Sequence, residues 1–156
     1  MGLGGLGVPG AVVVVTGRSL AESYLKKARV RVTVLRTFLD AQDYSDVVRE
    51  AQEAVELALK AALRRIGVEP PKVHDVGALL REYADRFCGV DVDRLAGISR
   101  RLRKERELAF YGDLDFLPTE QYSREDAEQA LSEATDVVTT VHVWMGTQRD
   151  GATPSG

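Results

Sequence analysis

Between residues 45 and 66 the apolar residues Val48, Ala51, Val55, Leu59, Ala62 and Ile66 recur every three or four positions, and Gly67 ends the run. A half-buried strand would repeat at period two, so this spacing commits the segment to a helix with a buried stripe. Glu53, Glu56, Lys60 and Arg64 fall on the wetter side, where Glu-to-Lys spacings of four add a little support. One amphipathic helix has nothing to bury its stripe against, so the rest of the chain must supply partners.

Those partners are legible from their caps. Ser19, with Glu22 three residues on, forms a capping box that opens a first helix carrying Leu20, Tyr24, Ala28, Val32, Leu35 and Phe38 or Leu39 until about Asp40. Ser45 opens the second. Glu69-Pro70-Pro71 breaks the chain direction. Leu79, Leu80, Tyr83 and Phe87 then predict a shorter helix closed by Gly89, and Asp91 or Asp93 opens a fourth with Leu95, Ile98, Leu102, Leu108 and Ala109 inside. After a loop over 112–122 that contains Pro118, Ser123 and Asp126 cap a last helix. Its stripe is Ala127, Ala130, Leu131, Ala134, Val138, Val141 and Met145, with Gly146 as its stop.

No strand pattern recurs after residue 17, and no apolar run approaches the ~20 residues that span a bilayer. The expected architecture is all-α: an up-and-down bundle of four to five helices over residues 19–146, its core built by the four long ones. Residues 147–156 read as a flexible tail. Residues 1–18 read as a flexible Gly/Val-rich leader, with six glycines in the first 17 positions and no charge before Arg18. Gly5, Gly7 and Gly10 do spell GxGxxG, but a dinucleotide loop needs a strand before it and a helix after it, whereas Pro9 interrupts it and Val12–Val15 follow. The leader also lacks the charged start of a secretory signal, and Leu6 stands where myristoylation wants Ser or Thr.

Composition bounds the chemistry. The 156 residues suit one domain, and 44% apolar residues are enough for a core. Twenty-one basic against 24 acidic residues give a net charge of -3, which excludes a coat of nucleic acid by bulk charge but leaves room for a local basic patch. One Cys and two His exclude a disulfide scaffold and a Cys/His zinc cage, and no metal or cofactor is expected. The chain reads as cytoplasmic, and its 16 Arg, 5 Lys and absence of Asn suit a prokaryotic source.

Candidate chemical groups are few. His74 and His142 have no second His, Cys or carboxylate at ligand spacing and read as capping or packing residues; no Ser has a His in a nucleophile elbow. Cys88 reads as a buried thiol. The distinctive stretch is 94–113, where Arg94, Arg100, Arg101, Arg103, Lys104 and Arg106 lead into Phe110, Tyr111, Gly112 and Asp113. The planar fork of Arg suits phosphate, and an aromatic ring can stack on a base. The competing reading is a solvated basic face with its aromatics in the core.

Four segments together resemble the HEPN domain (higher eukaryotes and prokaryotes nucleotide-binding): residues 21–28, 44–60, 71–80, and Arg106-Glu-Leu-Ala-Phe-Tyr-Gly-Asp113. The resemblance implies a four- or five-helix bundle, a homodimer, and a minimal nucleotidyltransferase as partner in a toxin-antitoxin-like pair. It also implies a metal-independent ribonuclease motif, Arg followed after four to six residues by His, near the end of the fourth helix. This sequence departs from that motif. With four residues between, Arg106 is followed by Tyr111; with six between, Arg103 is followed by Phe110; and no His lies between His74 and His142. Tyr, with a pKa near 10, is a poor proton carrier at neutral pH. In the related pattern where a Tyr two residues beyond the His is modified by the partner, Asp113 occupies the position and Tyr111 is the nearest acceptor.

The expectation is therefore a protein that binds nucleotide or RNA phosphate around Arg103, Arg106, Tyr111 and Asp113, without the catalytic His. A ribonuclease with an altered site and a non-catalytic interaction subunit are the alternatives.

Overall fold

The structure, a computed structural model, describes residues 17–70, 72, 75–111 and 122–150, with the side chains of 106–111 and 149–150 left out. Most of the Gly/Val leader, His74, Asp113 and residues 151–156 lie outside the described residues. Five helices and no strand make up the described chain: α1 (Gly17–Asp40), α2 (Tyr44–Arg65), α3 (Val76–Glu82), α4 (Val92–Tyr111) and α5 (Arg124–Asp150), with a 3-10 turn at Ala84–Arg86 before α4. The all-α expectation holds.

Helix α2 is the centre of the bundle. It packs against each of the other four helices, and 12 of its 22 residues are buried. Ala54, Leu57, Ala58, Ala61 and Leu63 lie between the residues of the predicted stripe and are buried too. Small alanines let several neighbours approach one helix at once, which a single amphipathic stripe does not convey. Arg65 Nη2 donates to the Gln148 carbonyl at 3.2 Å, so the C-terminal ends of α2 and α5 meet and the two helices run parallel. Ion pairs of Arg94 with Asp136 and of Arg101 with Glu133 run in opposite number order, so α4 is antiparallel to α5. With α1 hairpinned onto α2, the long helices alternate up and down.

The caps fix where elements start and stop. At the end of α2, Gly67 has φ +84°, and the amides of Gly67 and Val68 donate to the carbonyls of Arg64 and Leu63 at 3.0 and 2.9 Å. This is the paired bonding of a Schellman motif, whose left-handed residue favours glycine. Asp43, rather than Ser45, caps the start of α2. The Ser123–Asp126 box forms as expected: the Asp126 amide donates to Ser123 Oγ at 3.1 Å and the Ser123 amide to Asp126 Oδ2 at 2.9 Å. Buried Tyr122 and Ala127 occupy the flanking positions of a hydrophobic staple.

Three local expectations change. Helix α1 begins at Gly17, two residues before Ser19. Helix α5 runs through Gly146 to Asp150, so residues 147–150 are helix and not tail. Buried Trp144 and Met145 and the Arg65–Gln148 bond hold this last turn against α2, which outweighs the roughly 1 kcal/mol that one helical Gly costs. Cys88 is exposed, not buried. Phe87 takes the inward position instead, 4.9 Å from the Trp144 ring.

Gly77 positions α4. A Cβ there would stand 3.0–3.2 Å from the backbone and side chain of Ala96, so the short α3 seats directly on α4. Asp75 caps α3 by accepting from the Gly77 and Ala78 amides.

Candidate functional site

The basic run that singled out α4 meets carboxylates along much of its length. Arg94 pairs with Asp91 at 3.8 Å and with Asp136 of α5. Arg101 pairs with the largely buried Glu133 of α5. Arg81, on α3, takes Asp93 at 3.2 Å. Arg103 is half-buried and lies close enough to Glu56 of α2 to act on its ionisation. Burial alone would raise the Glu56 pKa. The hydrogen bond from Gln52, the charge and hydrogen bond of Lys60, and then the charge of Arg103 outweigh it and hold the carboxyl below its ordinary value. Gln52 Nε2 donates to Glu56 Oε2 at 2.8 Å, and Lys60 Nζ stands 3.2 Å from Oε1.

Of the sequence candidates, Arg103 is the one whose side chain is described. Arg103 lies within electrostatic reach of Glu56, which Gln52 and Lys60 hold on α2. Arg106 sits one turn further along α4 and Tyr111 is the last residue of that helix; their side chains, and all of Asp113, lie outside the described residues. On an ideal helix positions 103 and 106 are about 60° apart, while 106 and 111 are about 140° apart. Arg100 and Lys104, four residues apart and exposed, make no ion pair among the described residues. Among the described side chains of α4 they are the open cations, and only knowledge of the opposing helices separates them from Arg94 and Arg101.

A cleft of about 210 Å³ opens beside this end of α4, between it and the start of α5, lined by Arg101, Glu105, Tyr122, Asp126, Gln129 and Glu133 among others. Among the described lining residues three carboxylates stand against one guanidinium, the opposite of what the run of arginines suggests. Tyr122 is buried in its wall and donates its hydroxyl to the Glu105 carbonyl at 2.6 Å. Burial, followed by the charges of Glu105 and Asp126, pushes its pKa up to about 12. In the sequence Tyr122 reads as a loop residue; its place just before the capping box is the available signal.

His142 does not complete a site on α4. It lines a groove whose other walls are all on α1 and α5. Among the described residues no group of three His, Cys, Asp or Glu side chains is placed to hold a metal ion, and no helix is long and apolar enough to cross a membrane.

The HEPN domain family matches residues 21–144, which is most of the chain. The chain belongs to the HEPN domain family. A curated relative, "Putative toxin MJ1304" of Methanocaldococcus jannaschii, is 26% identical over 131 residues, covering 78% of this chain and 85% of the relative. The crystal structure of TT1696 from Thermus thermophilus superposes with a TM-score of 0.66 at 22% identity, covering 80% of this chain and 97% of the other. At that identity the structural likeness speaks for the fold. This HEPN bundle keeps an arginine at the end of its fourth helix while the chain has no His from residue 75 to residue 141.

Proposed function

We propose that this HEPN protein is a member of a toxin-antitoxin-like pair that binds nucleotide or RNA phosphate through the C-terminal half of α4 and does not cleave RNA. Arg103 and Arg106 are the phosphate contacts, with Tyr111 and Asp113 at and just past the end of the helix; exposed Arg100 and Lys104 add open positive charge beside them. The observation that carries this reading is the family motif with its Arg in place and a Tyr, Tyr111, where the His belongs. A phenol that ionises near pH 10 does not move protons efficiently at neutral pH, whereas an arginine fork binds phosphate without any proton transfer. Similarity to a protein named as a toxin supports the pair context. The resemblance to the family supports a cytoplasmic homodimer whose partner is a minimal nucleotidyltransferase.

Titration of the purified protein with ATP and with short RNAs tests the reading. Saturable binding weakened by Arg103→Ala and by Arg106→Ala, with the RNAs recovered intact, is the expected result. Absence of saturable binding to either ligand overturns the phosphate role, and RNA cleavage lost in Arg106→Ala restores the ribonuclease.

A further inference from the structure

Outside α4, cations also gather on one face of α1, where the neighbouring carboxylate, Glu22, pairs with Arg18 at 4.0 Å. A groove of about 410 Å³ runs between α1 and α5; among the described residues its charged lining is Lys26 and Arg29, its apolar walls include Val30 and Val138, and no carboxylate lines it. Neither Lys26 nor Arg29 makes an ion pair among the described residues. Lys27 and Arg36 are also exposed on α1.

The same two helices carry misplaced apolar surface, of which Val30 lines the groove. Among the described residues the exposed large hydrophobics are Val30 at 53%, Val34 at 40% and Val143 at 58%. All three lie on these two helices. Val30 and Val34 are one turn apart on α1, and Val143 continues the row that Thr135 and Thr139 begin on α5. Exposed valines scattered singly would need no explanation, but a pair one turn apart on α1, one of them lining a groove, marks an interaction surface.

The polar groups of the groove help to choose its occupant. Thr33 Oγ1 donates to the Val30 carbonyl at 2.6 Å and Thr135 Oγ1 to the Leu131 carbonyl at 2.7 Å, so both hydroxyls are turned onto their own helices. A small polar ligand wants convergent donors, and these do not converge. A second copy of the chain, brought onto this face by a two-fold axis, would bring two Lys26–Arg29 pairs onto one interface whose nearby Glu22 carboxylates are already paired with Arg18, which is repulsive on balance. A helix laid between two helices buries the valines, and acidic residues along its edges would neutralise the cations.

We infer that the α1–α5 face docks an amphipathic helix of a partner protein, whose apolar stripe seats on Val30, Val34 and Val143 and whose flanking carboxylates pair with Lys26 and Arg29. The inference stands apart from the phosphate reading of α4.

Fluorescence anisotropy with the full chain tests it. The probes are two labelled helical peptides of about 15–20 residues, with the same Leu stripe and either Glu or Lys on both flanks. The expected result is saturable binding of the Glu peptide, at least about tenfold tighter than the Lys peptide. A Lys26→Glu/Arg29→Glu double variant exchanges that preference, and Val30→Glu or Val143→Glu weakens binding of the Glu peptide at least about tenfold. All four positions are exposed, and unchanged helical circular dichroism confirms that the variants fold. Equal binding of both peptides, no saturable binding, or indifference to every variant overturns the inference. So does a self-associated species in sedimentation that Val30→Glu dissociates, which makes the face a self-interface. Binding of a short RNA or of phosphatidylglycerol vesicles that Lys26→Glu/Arg29→Glu abolishes, without matching loss of the Glu peptide, overturns it as well.

Discussion

Two faces of this bundle carry clustered cations, and they differ in what stands opposite. On α4, Arg94 meets Asp91 and Asp136, Arg101 meets Glu133, and Arg103 acts on Glu56. On α1, Lys26 and Arg29 border a groove walled by valines and threonines. Counted along the sequence, α4 is the basic helix; summed with its described neighbours, part of its charge is cancelled, and the described lining of the cleft beside it holds more carboxylates than cations. A run of arginines thus predicts a local field only once the opposing helices are known.

The comparison breaks most completely if α4 loses its seat. Gly77→Val sets branched atoms where a Cβ alone would stand 3.0 Å from the Ala96 backbone. Overpacking of this kind costs about 2–3 kcal/mol. Urea unfolding should show that loss, and Arg94 and Arg101 should no longer be held on their carboxylates.

Tyr122 comes next. Tyr122→Phe removes the hydroxyl that bonds the Glu105 carbonyl and should cost about 1 kcal/mol. The wild-type tyrosine is harder to ionise folded than unfolded, so its contribution is complete below about pH 10 and is lost as pH rises towards about 12. Ultraviolet titration should find one of the five tyrosines ionising well after the others, and a titration in which all five coincide would contradict the buried hydroxyl.

Glu56 tests the neutralised side directly. Its folded pKa is depressed, so the stability it supplies is present above the ordinary glutamate value and fades as pH falls through its lower folded value. Glu56→Gln should cost about 0.5–1 kcal/mol near pH 7. The gap between wild type and variant should close in acid. A gap independent of pH would mean that Glu56 acts by packing alone.

Most of the fold is legible in the sequence because helical period and caps are local properties. The stripe from Val48 to Ile66, the Schellman stop at Gly67 and the Ser123–Asp126 box need no partner to be read. The helix through Gly146 escapes such a reading because what holds it, Arg65 on the Gln148 carbonyl, lies 83 residues away in sequence. The site is less legible for the same reason: Arg103 looks alike along the chain whether it faces solvent or Glu56. Cys88 gives a false signal because its neighbour Phe87 takes the inward position against Trp144, which leaves the thiol exposed.

The smallest effects carry the sign of the comparison. Arg101→Ala removes an ion pair between an exposed guanidinium and the partly buried Glu133, and pairs reached by solvent on one side contribute about 0.5 kcal/mol. Lys26→Ala and Arg29→Ala remove charges that meet no carboxylate in the groove and have Lys27 beside them in sequence; at low salt each should leave stability unchanged or raise it by a few tenths of a kcal/mol. Salt should erase both effects, since at about 1 M the screening length falls to about 3 Å. Chemical denaturation at low and high salt thus reads the two faces against each other: Arg101→Ala should lose its penalty in salt, and the α1 variants should lose any gain. If Lys26→Ala and Arg29→Ala instead destabilise at low salt as Arg101→Ala does, then the α1 cations have carboxylate partners in solution and the contrast between the two faces fails.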